Sequence, residues 1–496
     1  MQRFRHLDTL LAAAAGFIIT YVFTHHSGIG VSPDSVSYVS AARNVLHRGT
    51  LTDFTTQPLV DFPAGYPLIL AAILGLTHID PFAFMPLMDP MLFALLIVLC
   101  GYMADKADYP SPWNKTALLA CIALSPALIE VYIMLWSETL FIILIVGFLI
   151  SLRRFMRSRS TSSLLLTAGI CAVACTIRYA GVTLGATGGL LILLEKYPSL
   201  RDKLRHLFLF GFVSASLLAI NLARNYYVSG TLTGRRQKGV TPLLRNIYYY
   251  GSTFTGWFFY GTDHYRLCLS LGLVILTLLV FLFTPVLLRE YPSQIRIALA
   301  FSVVFSAFMV LSATISRYEQ INSRLLSPLY IPLVFSLAYP LAQFGRKASR
   351  SARRWWKGFA VVCLLLVLSS QLLADYQWNS DINDAGIGGY TEDIWKDSLL
   401  IQYLQSNEFP SRQDYTLYSN SPEAVYFFTG RHCRLLPQKA FPGPIHQFFA
   451  QDRQYLIWFD DGDNPAILTQ DEVLAGKHLR LLGHFEDGEV YVTDEP

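Results

Sequence analysis

Acidic and guanidinium side chains collect where the apolar runs of this chain end, and that placement could do chemistry. Asp34 lies in Ser32–Pro67, a polar stretch between the first apolar run and the next. Glu138 follows Trp136-Ser137 between two further runs, Arg178-Tyr179 closes another, and Arg317 and Arg324 flank the start of a late one. The segment 221–265 adds Arg224, Arg235 and Arg236. Ionisable residues at a membrane edge are costly unless paired or used. Arginines hold a phosphate through bidentate hydrogen bonds and stabilise it as it departs. A carboxylate takes the proton from an attacking hydroxyl. A second carboxylate can position that base or hold a divalent cation. Such a set suits a lipid donor linked through phosphate.

The elements that position these groups follow from composition. Of 496 residues, 53% are hydrophobic and only 15% charged, with a mean hydropathy of +0.39, which excludes a soluble chain and reads as a polytopic membrane protein. The net charge of +4 conceals an asymmetry. Residues 375–496 carry 20 acidic and 8 basic side chains, a net of −12, whereas 1–374 carry 15 and 31, a net of +16. We therefore expect two domains: a basic membrane body, 1–374, with the site-bearing first outer loop at 25–67, and an acidic soluble α/β domain, 375–496. Seven scattered cysteines give no disulfide framework or zinc spacing, and Cys171 with Cys175 reads as helix packing. His25 and His26 read as interfacial. Asp460-Asp461-Gly462-Asp463 reads as a solvated turn, not a calcium loop. Nothing points to nucleic acid.

Apolar runs place about eleven spans: 7–23, 82–104, 113–134, 138–152, 162–177, 180–194, 204–223, 267–288, 295–315, 325–344 and 358–374. The first run follows Arg3 and Arg5 and lacks a small-residue cleavage site, so it reads as a retained anchor. The run 66–77 is short and reads as interfacial or re-entrant. With the N-terminus in the cytoplasm, inner loops collect 20 of the 31 basic residues of the body, including the clusters 153–159, 196–205 and 346–357. The candidate residues then share the outer face, as does the acidic domain. In that domain we expect a helix at 393–408, strands at 415–418 and 455–459, a helix at 423–429 and a hairpin over 479–492 around Asp487-Gly488. Tyr38, Ala41, Ala42 and Val45 recur at helical spacing and predict a short helix ended by Gly49.

Several residues carry a resemblance. The pattern PDSVSYVSAARNVLHRG with FPAGYPLILA, then WSETLF, IRYAG and RLLSPLY, resembles the bacterial GT-C type membrane glycosyltransferases, which include protein mannosyltransferases and lipid A aminoarabinose transferases. It covers roughly residues 1–374. The resemblance implies a GT-C-like fold and transfer of a hexosyl or pentosyl group, with inversion, from a polyprenyl-phosphate carrier to a glycan, lipid or protein hydroxyl at the outer face of the bacterial inner membrane. It maps the catalytic base onto Asp34 and a second acid site onto Glu138. Many members carry adjacent acids in the first loop; here Asp34 is followed by Ser35. No cofactor is required by this reading, and a divalent cation on Asp34 and Glu138 stays open.

Arg178 and Arg324 are the expected phosphate clamps, with Arg224, Arg235 and Arg236 as further donor contacts. Tyr38, Asp61, Tyr66, Tyr179 and Arg317 line the expected pocket. Each has a plainer reading. Asp34 or Glu138 could cap the helix that follows, the arginines could snorkel, and Tyr38 and Tyr66 could anchor at headgroup level. Two other classes are a lipid-linked-sugar transporter and a non-catalytic envelope polysaccharide assembly protein. A transporter places charge at the bilayer midplane on broken helices in paired halves. Here the charges crowd one face and no halves repeat.

Overall fold

The structure is a computed structural model describing residues 6–107, 112–258, 264–288, 291–317, 319–347, 350–410, 412, 414–460 and 464–493. Residues 461–463 of the acidic turn lie outside these. The chain forms two compact units. The first comprises 1–26, 60–66 and 82–383, and the second 27–59, 67–81 and 384–496. The charge step at 374/375 is thus not where the compact units part. The first-loop segment 27–59 groups with the C-terminal residues.

The first unit is helical. Among the described residues seven helices are long and apolar enough to cross a membrane: Pro81–Asp105, Glu138–Ser158, Leu200–Ser229, Tyr265–Thr284, Ser293–Ile315, Ser323–Gln343 and Arg354–Ala385. Trp113–Ala123 and Pro126–Tyr132 make an eighth if the pair, bent by 51°, is one span. The bend has a local cause. Ser125 caps a new helix by accepting from Leu128 N at 3.4 Å, and Pro126 at its first position cannot continue the ladder behind it. Leu7–Phe23, Thr161–Ile177 and Tyr179–Leu194 are shorter apolar helices at the positions of the other expected runs.

Burial separates inner from outer helices. Along Glu138–Ser158, Phe141, Ile145, Phe148, Leu152 and Phe155 recur every three or four residues and are buried, giving one continuous interior stripe. Of the most apolar 18-residue stretch, 67% is buried in Ser323–Gln343 and 61% in Ser293–Ile315, against 17% in Leu200–Ser229 and Tyr265–Thr284, which turn apolar side chains outward. The segment expected as a loop at 221–265 contains a helix, Leu243–Phe258, whose Ile247, Tyr250, Phe254 and Trp257 form a buried stripe.

In the second unit Pro33–Arg48 is a helix that Gly49 ends in the left-handed region at φ 66°. Residues 67–77 of a short apolar helix, Gly65–Thr77, also belong to this unit. The C-terminal part is a five-stranded sheet in the order β2-β1-β3-β5-β4, formed by β1 (Thr416–Ser419), β2 (Cys433–Leu435), β3 (Gln454–Phe459), β4 (Leu479–Phe485) and β5 (Gly488–Thr493). β1 runs parallel to β2 and β3, while β5 is antiparallel to β3 and β4. Tyr418, Leu436, Phe448, Leu456, Ile467, Val473 and Tyr491 form its core. The expected helix at 423–429 is Pro422–Thr429, and the expected hairpin forms with its turn at Glu486-Asp487 and Gly488 opening β5. The α/β reading of this domain holds.

Candidate active site

Glu138 opens its helix and is fully buried. A bare carboxylate there would be prohibitive, and two arginines remove the problem. Arg178 Nη1 lies 2.6 Å from Glu138 Oε2, and Arg324 Nε lies 2.6 Å from Oε1. Arg178 Nη1 also donates to Ser137 Oγ at 3.0 Å. The Arg324 guanidinium lies 4.4 Å from the Trp136 ring centroid, a cation–π stack that fixes its plane. Three turns distant in sequence thus close on one carboxylate: Trp136-Ser137-Glu138, Arg178 after Thr161–Ile177, and Arg324 in the first turn of Ser323–Lys347. Arg324 Nη1 also lies 3.8 Å from Glu319 Oε2, and Glu130 shares the fields of Arg324, Glu319 and Glu138. Each guanidinium has five N–H donors, and Glu138 takes only part of them. Both Glu138 oxygens are engaged by the guanidiniums. Among the described residues no three His, Cys, Asp or Glu side chains form a metal-ligand cluster.

Next to Arg178, Tyr179 pins the turn 60–66. Its hydroxyl donates to Val60 O at 2.9 Å and accepts from Asn225 Nδ2 at 3.0 Å and Asn221 Nδ2 at 3.4 Å. Asn221 Oδ1 accepts from Ala64 N at 3.1 Å, and Asn225 Nδ2 also reaches Leu232 O at 2.8 Å. Asn221 and Asn225 stand one turn apart on Leu200–Ser229, which extends beyond the expected 204–223. Their spacing was readable; reading the segment from 221 as loop hid it. Arg224 donates to Asn225 Oδ1 at 3.1 Å. Gly65 lets the end of this turn meet Thr161–Ile177: a Cβ there would stand 2.6 Å from Thr176 O.

The loop after Gly230 crosses between these pieces. Arg236 Nη2 donates to Asp61 O at 3.4 Å, and Gly234 packs against the Asp61 carboxylate. Further on, Gly239 N donates to Ile315 O at 2.8 Å and Arg317 N to Gln237 O at 3.0 Å. Asp61, Arg235, Arg236 and Arg317 are exposed, and Tyr66 is buried. Within this unit, then, Glu138, Arg178 and Arg324 meet directly. Tyr179, Asp61, Arg224 and Arg236 join them through the pinned turn and the loop.

Asp34 and Tyr38 belong to the second unit. Ser32, not Asp34, caps the helix: Ser32 Oγ accepts from Ser35 N at 3.4 Å and Ser35 Oγ from Ser32 N at 3.0 Å. Asp34 therefore stands in the first turn, half-buried, where the helix dipole favours its charge. Tyr38 is buried on the helix's inner face. Helix Pro422–Thr429 and the residues after it pack on this segment. Phe54 and Tyr426 rings lie 5.6 Å apart, and His432 Nδ1 is 2.6 Å from Phe54 O. Arg43 is held to Asp80 at 2.7 Å. Tyr390 N donates to Val31 O at 2.8 Å and Ile387 N to Ser27 Oγ at 2.8 Å. Glu423, which sequence reasoning did not single out, shares the fields of Asp34 and Asp53. Burial first, and then those two charges, push its carboxyl up to about 7. Burial also raises Asp53 from its ordinary value, against the bonds it accepts from Thr55.

No family model and no curated protein sequence matches the chain. Solved structures do. ArnT from Cupriavidus metallidurans, bound to undecaprenyl phosphate, is similar with a TM-score of 0.60 at 11% identity, covering 97% of each chain. Arabinofuranosyltransferase AftD from Mycobacteria is similar with a TM-score of 0.52 at 14% identity, over 99% of this chain and 42% of that one. The oligosaccharyltransferase AglB from Archaeoglobus fulgidus, in complex with an inhibitory peptide and a dolichol-phosphate, gives 0.51 at 10% identity, over 92% of this chain and 70% of that one. At these identities the likeness is one of fold: a GT-C-like polytopic helical body with a small C-terminal sheet.

Proposed function

We propose that the chain is an integral membrane glycosyltransferase that moves a hexosyl or pentosyl group from a polyprenyl-phosphate carrier to an acceptor hydroxyl. The carrying observation is the buried Arg178–Glu138–Arg324 triad. It holds two guanidinium groups rigid on one buried carboxylate, with Arg324 also reaching Glu319 at 3.8 Å. That is the preorganised electrostatics a departing phosphate needs, because its charge grows as the glycosidic bond breaks. Glu138 is then a positioning residue, and the arginines contact the phosphate. The fold shared with ArnT over 97% of both chains supports a lipid-phosphate donor.

In the step itself, Asp34 is the base. The acceptor oxygen attacks the anomeric carbon from the face opposite the phosphate and forms the new C–O bond. The bond from that carbon to the phosphate oxygen breaks, and its electron pair leaves on the phosphate. The hydroxyl proton goes to the Asp34 carboxylate, and configuration inverts. The pinned turn 60–66, with Asp61, Tyr66 and Tyr179, and the loop bearing Arg235 and Arg236 shape the donor side, together with Arg224 and Arg317. The distribution of basic clusters supports a bacterial inner-membrane protein with about eleven spans, its N-terminus cytoplasmic and its C-terminal domain outside, so that transfer occurs on the outer face.

Release of undecaprenyl phosphate tests this without knowing the sugar. Proteoliposomes supplied with a panel of undecaprenyl-phosphate sugars and cell-envelope acceptor extract should liberate the free carrier, detected by mass spectrometry. Asp34→Asn should lower release about 10²–10⁴-fold while carrier binding persists. Full release by that variant refutes the base, and no release from any donor by the native protein refutes the enzyme.

A further inference from the structure

The last long helix of the first unit carries a polar stripe that the proposed transfer does not use. Arg350–Ala385 has 36 residues, about 54 Å of helix against the roughly 30 Å of a bilayer's hydrocarbon. Its basic cluster ends at Lys357. At the other end of the apolar stretch, Gln371, Asp375 and Asn379 follow at four-residue spacing and so share one face. That face points inward, since Gln371 is 1% exposed and Asp375 7%, while Leu372, Leu373 and Tyr376 are exposed. Stripe and neighbours all lie within the first unit. Gln371 Nε2 donates to Tyr330 Oη at 3.1 Å, and Tyr330 Oη donates to Cys121 O at 2.8 Å, which fixes the Gln371 amide with its oxygen turned away from the phenol. Phe23 packs edge-on against Trp378 at 5.3 Å and covers the helix beside the stripe.

Four acceptors remain without a donor among the described residues: Gln371 Oε1, both Asp375 oxygens and Asn379 Oδ1. Buried acceptors are almost always paired, and an unpaired carboxylate in such surroundings is among the costliest arrangements a protein can hold. The Asp375 carboxylate and the Gln371 amide oxygen, one turn apart on the buried face, are acceptors that suit a hard cation and nothing anionic, and Asn379 Oδ1 stands half-buried one turn beyond. Nitrogen and sulfur ligands are missing from the set, which disfavours zinc and copper. The charge selects further. One carboxylate neutralises one positive charge, and in a low-dielectric interior the uncompensated charge left by a divalent ion would be expensive.

We propose that Asp375 with Gln371 forms a monovalent cation site, of the sodium or potassium class, at the end of the last long helix away from its basic cluster. The bound ion ties that helix to the one bearing Tyr330. The inference is independent of the transferase reading, because it concerns none of the residues assigned there.

Thermal melting of the purified native protein in detergent, at constant ionic strength, tests it. Sodium or potassium chloride, titrated against N-methylglucamine chloride, should raise the melting temperature saturably, by roughly 2–4 °C near a hundredfold excess over Kd. Asp375→Asn should melt at one temperature in all three salts. If that variant does not fold, Gln371→Leu should show a shifted midpoint of the salt titration. Identical melting of the native protein in sodium, potassium and N-methylglucamine salts overturns the site. A response confined to calcium or magnesium overturns the charge assignment. A salt response that Asp375→Asn retains in full overturns the residues.

Discussion

At the scale of single residues, the account turns on charges that cannot stand alone. Glu138 is fully buried and is tolerable because Arg178 and Arg324 each meet one of its oxygens at 2.6 Å. Glu138→Gln removes the charge that both guanidiniums face, and breaking a buried pair from one side costs on the order of 3–5 kcal/mol. A fall in melting temperature, with helical content kept at low temperature, is the expected outcome. Glu423 gives a pH test in the other unit. Its folded carboxyl titrates near 7, above the usual range, so between its unfolded value and 7 the folded state holds a proton that the unfolded state has lost. Stability from this group should therefore decline as pH rises through that window and level off above it. Glu423→Gln should flatten that part of the melting-against-pH profile; an unchanged slope removes Glu423 as its source. The individual residues were legible in the sequence, because charge at the end of an apolar run is conspicuous. Their pairing was not. Arg178 and Arg324 stood out as separate phosphate contacts, and nothing in a linear pattern shows that both close on Glu138.

At the scale of elements, close approach and pinning position the site. Gly65 stands where any Cβ would press on the Thr176 carbonyl, and Gly181 where it would stand 2.6 Å from Cys175 N. Backbone on both sides leaves little room to yield. Gly65→Ala should destabilise by about 1–3 kcal/mol, read as a lowered melting temperature, and should weaken carrier release by loosening the turn that Tyr179 and Asn225 hold. A variant with native melting would show that the approach is not needed. Helix positions were largely readable, since runs such as 7–23 and 295–315 declare themselves by length and apolarity. Two elements escaped for identifiable reasons. Leu243–Phe258 sits in a tyrosine- and arginine-rich stretch whose low hydropathy resembles a loop, although Ile247, Tyr250, Phe254 and Trp257 keep a helical period. The last helix runs on to Ala385 past the expected end at 374, because a single Asp375 in an apolar run reads as an exit from the membrane while its backbone simply continues.

At the scale of the whole molecule, the charge step at 374/375 marked a change of composition and not of compactness. Polar residues 27–59 bury their apolar faces with the C-terminal sheet's helices, through Phe54, Tyr426 and Val31, so chain order and unit order differ. Local patterns report which residues want burial and are silent on which distant partner supplies it. The central claim, that two guanidiniums locked on Glu138 receive the lipid phosphate, is tested most directly by carrier affinity. Binding of undecaprenyl phosphate to the native protein in nanodiscs should weaken at least about tenfold in Arg178→Ala and again in Arg324→Ala, as expected for losing charge-assisted contacts of roughly 1.5–3 kcal/mol each. Undiminished binding in both variants, each shown to be folded, would contradict it.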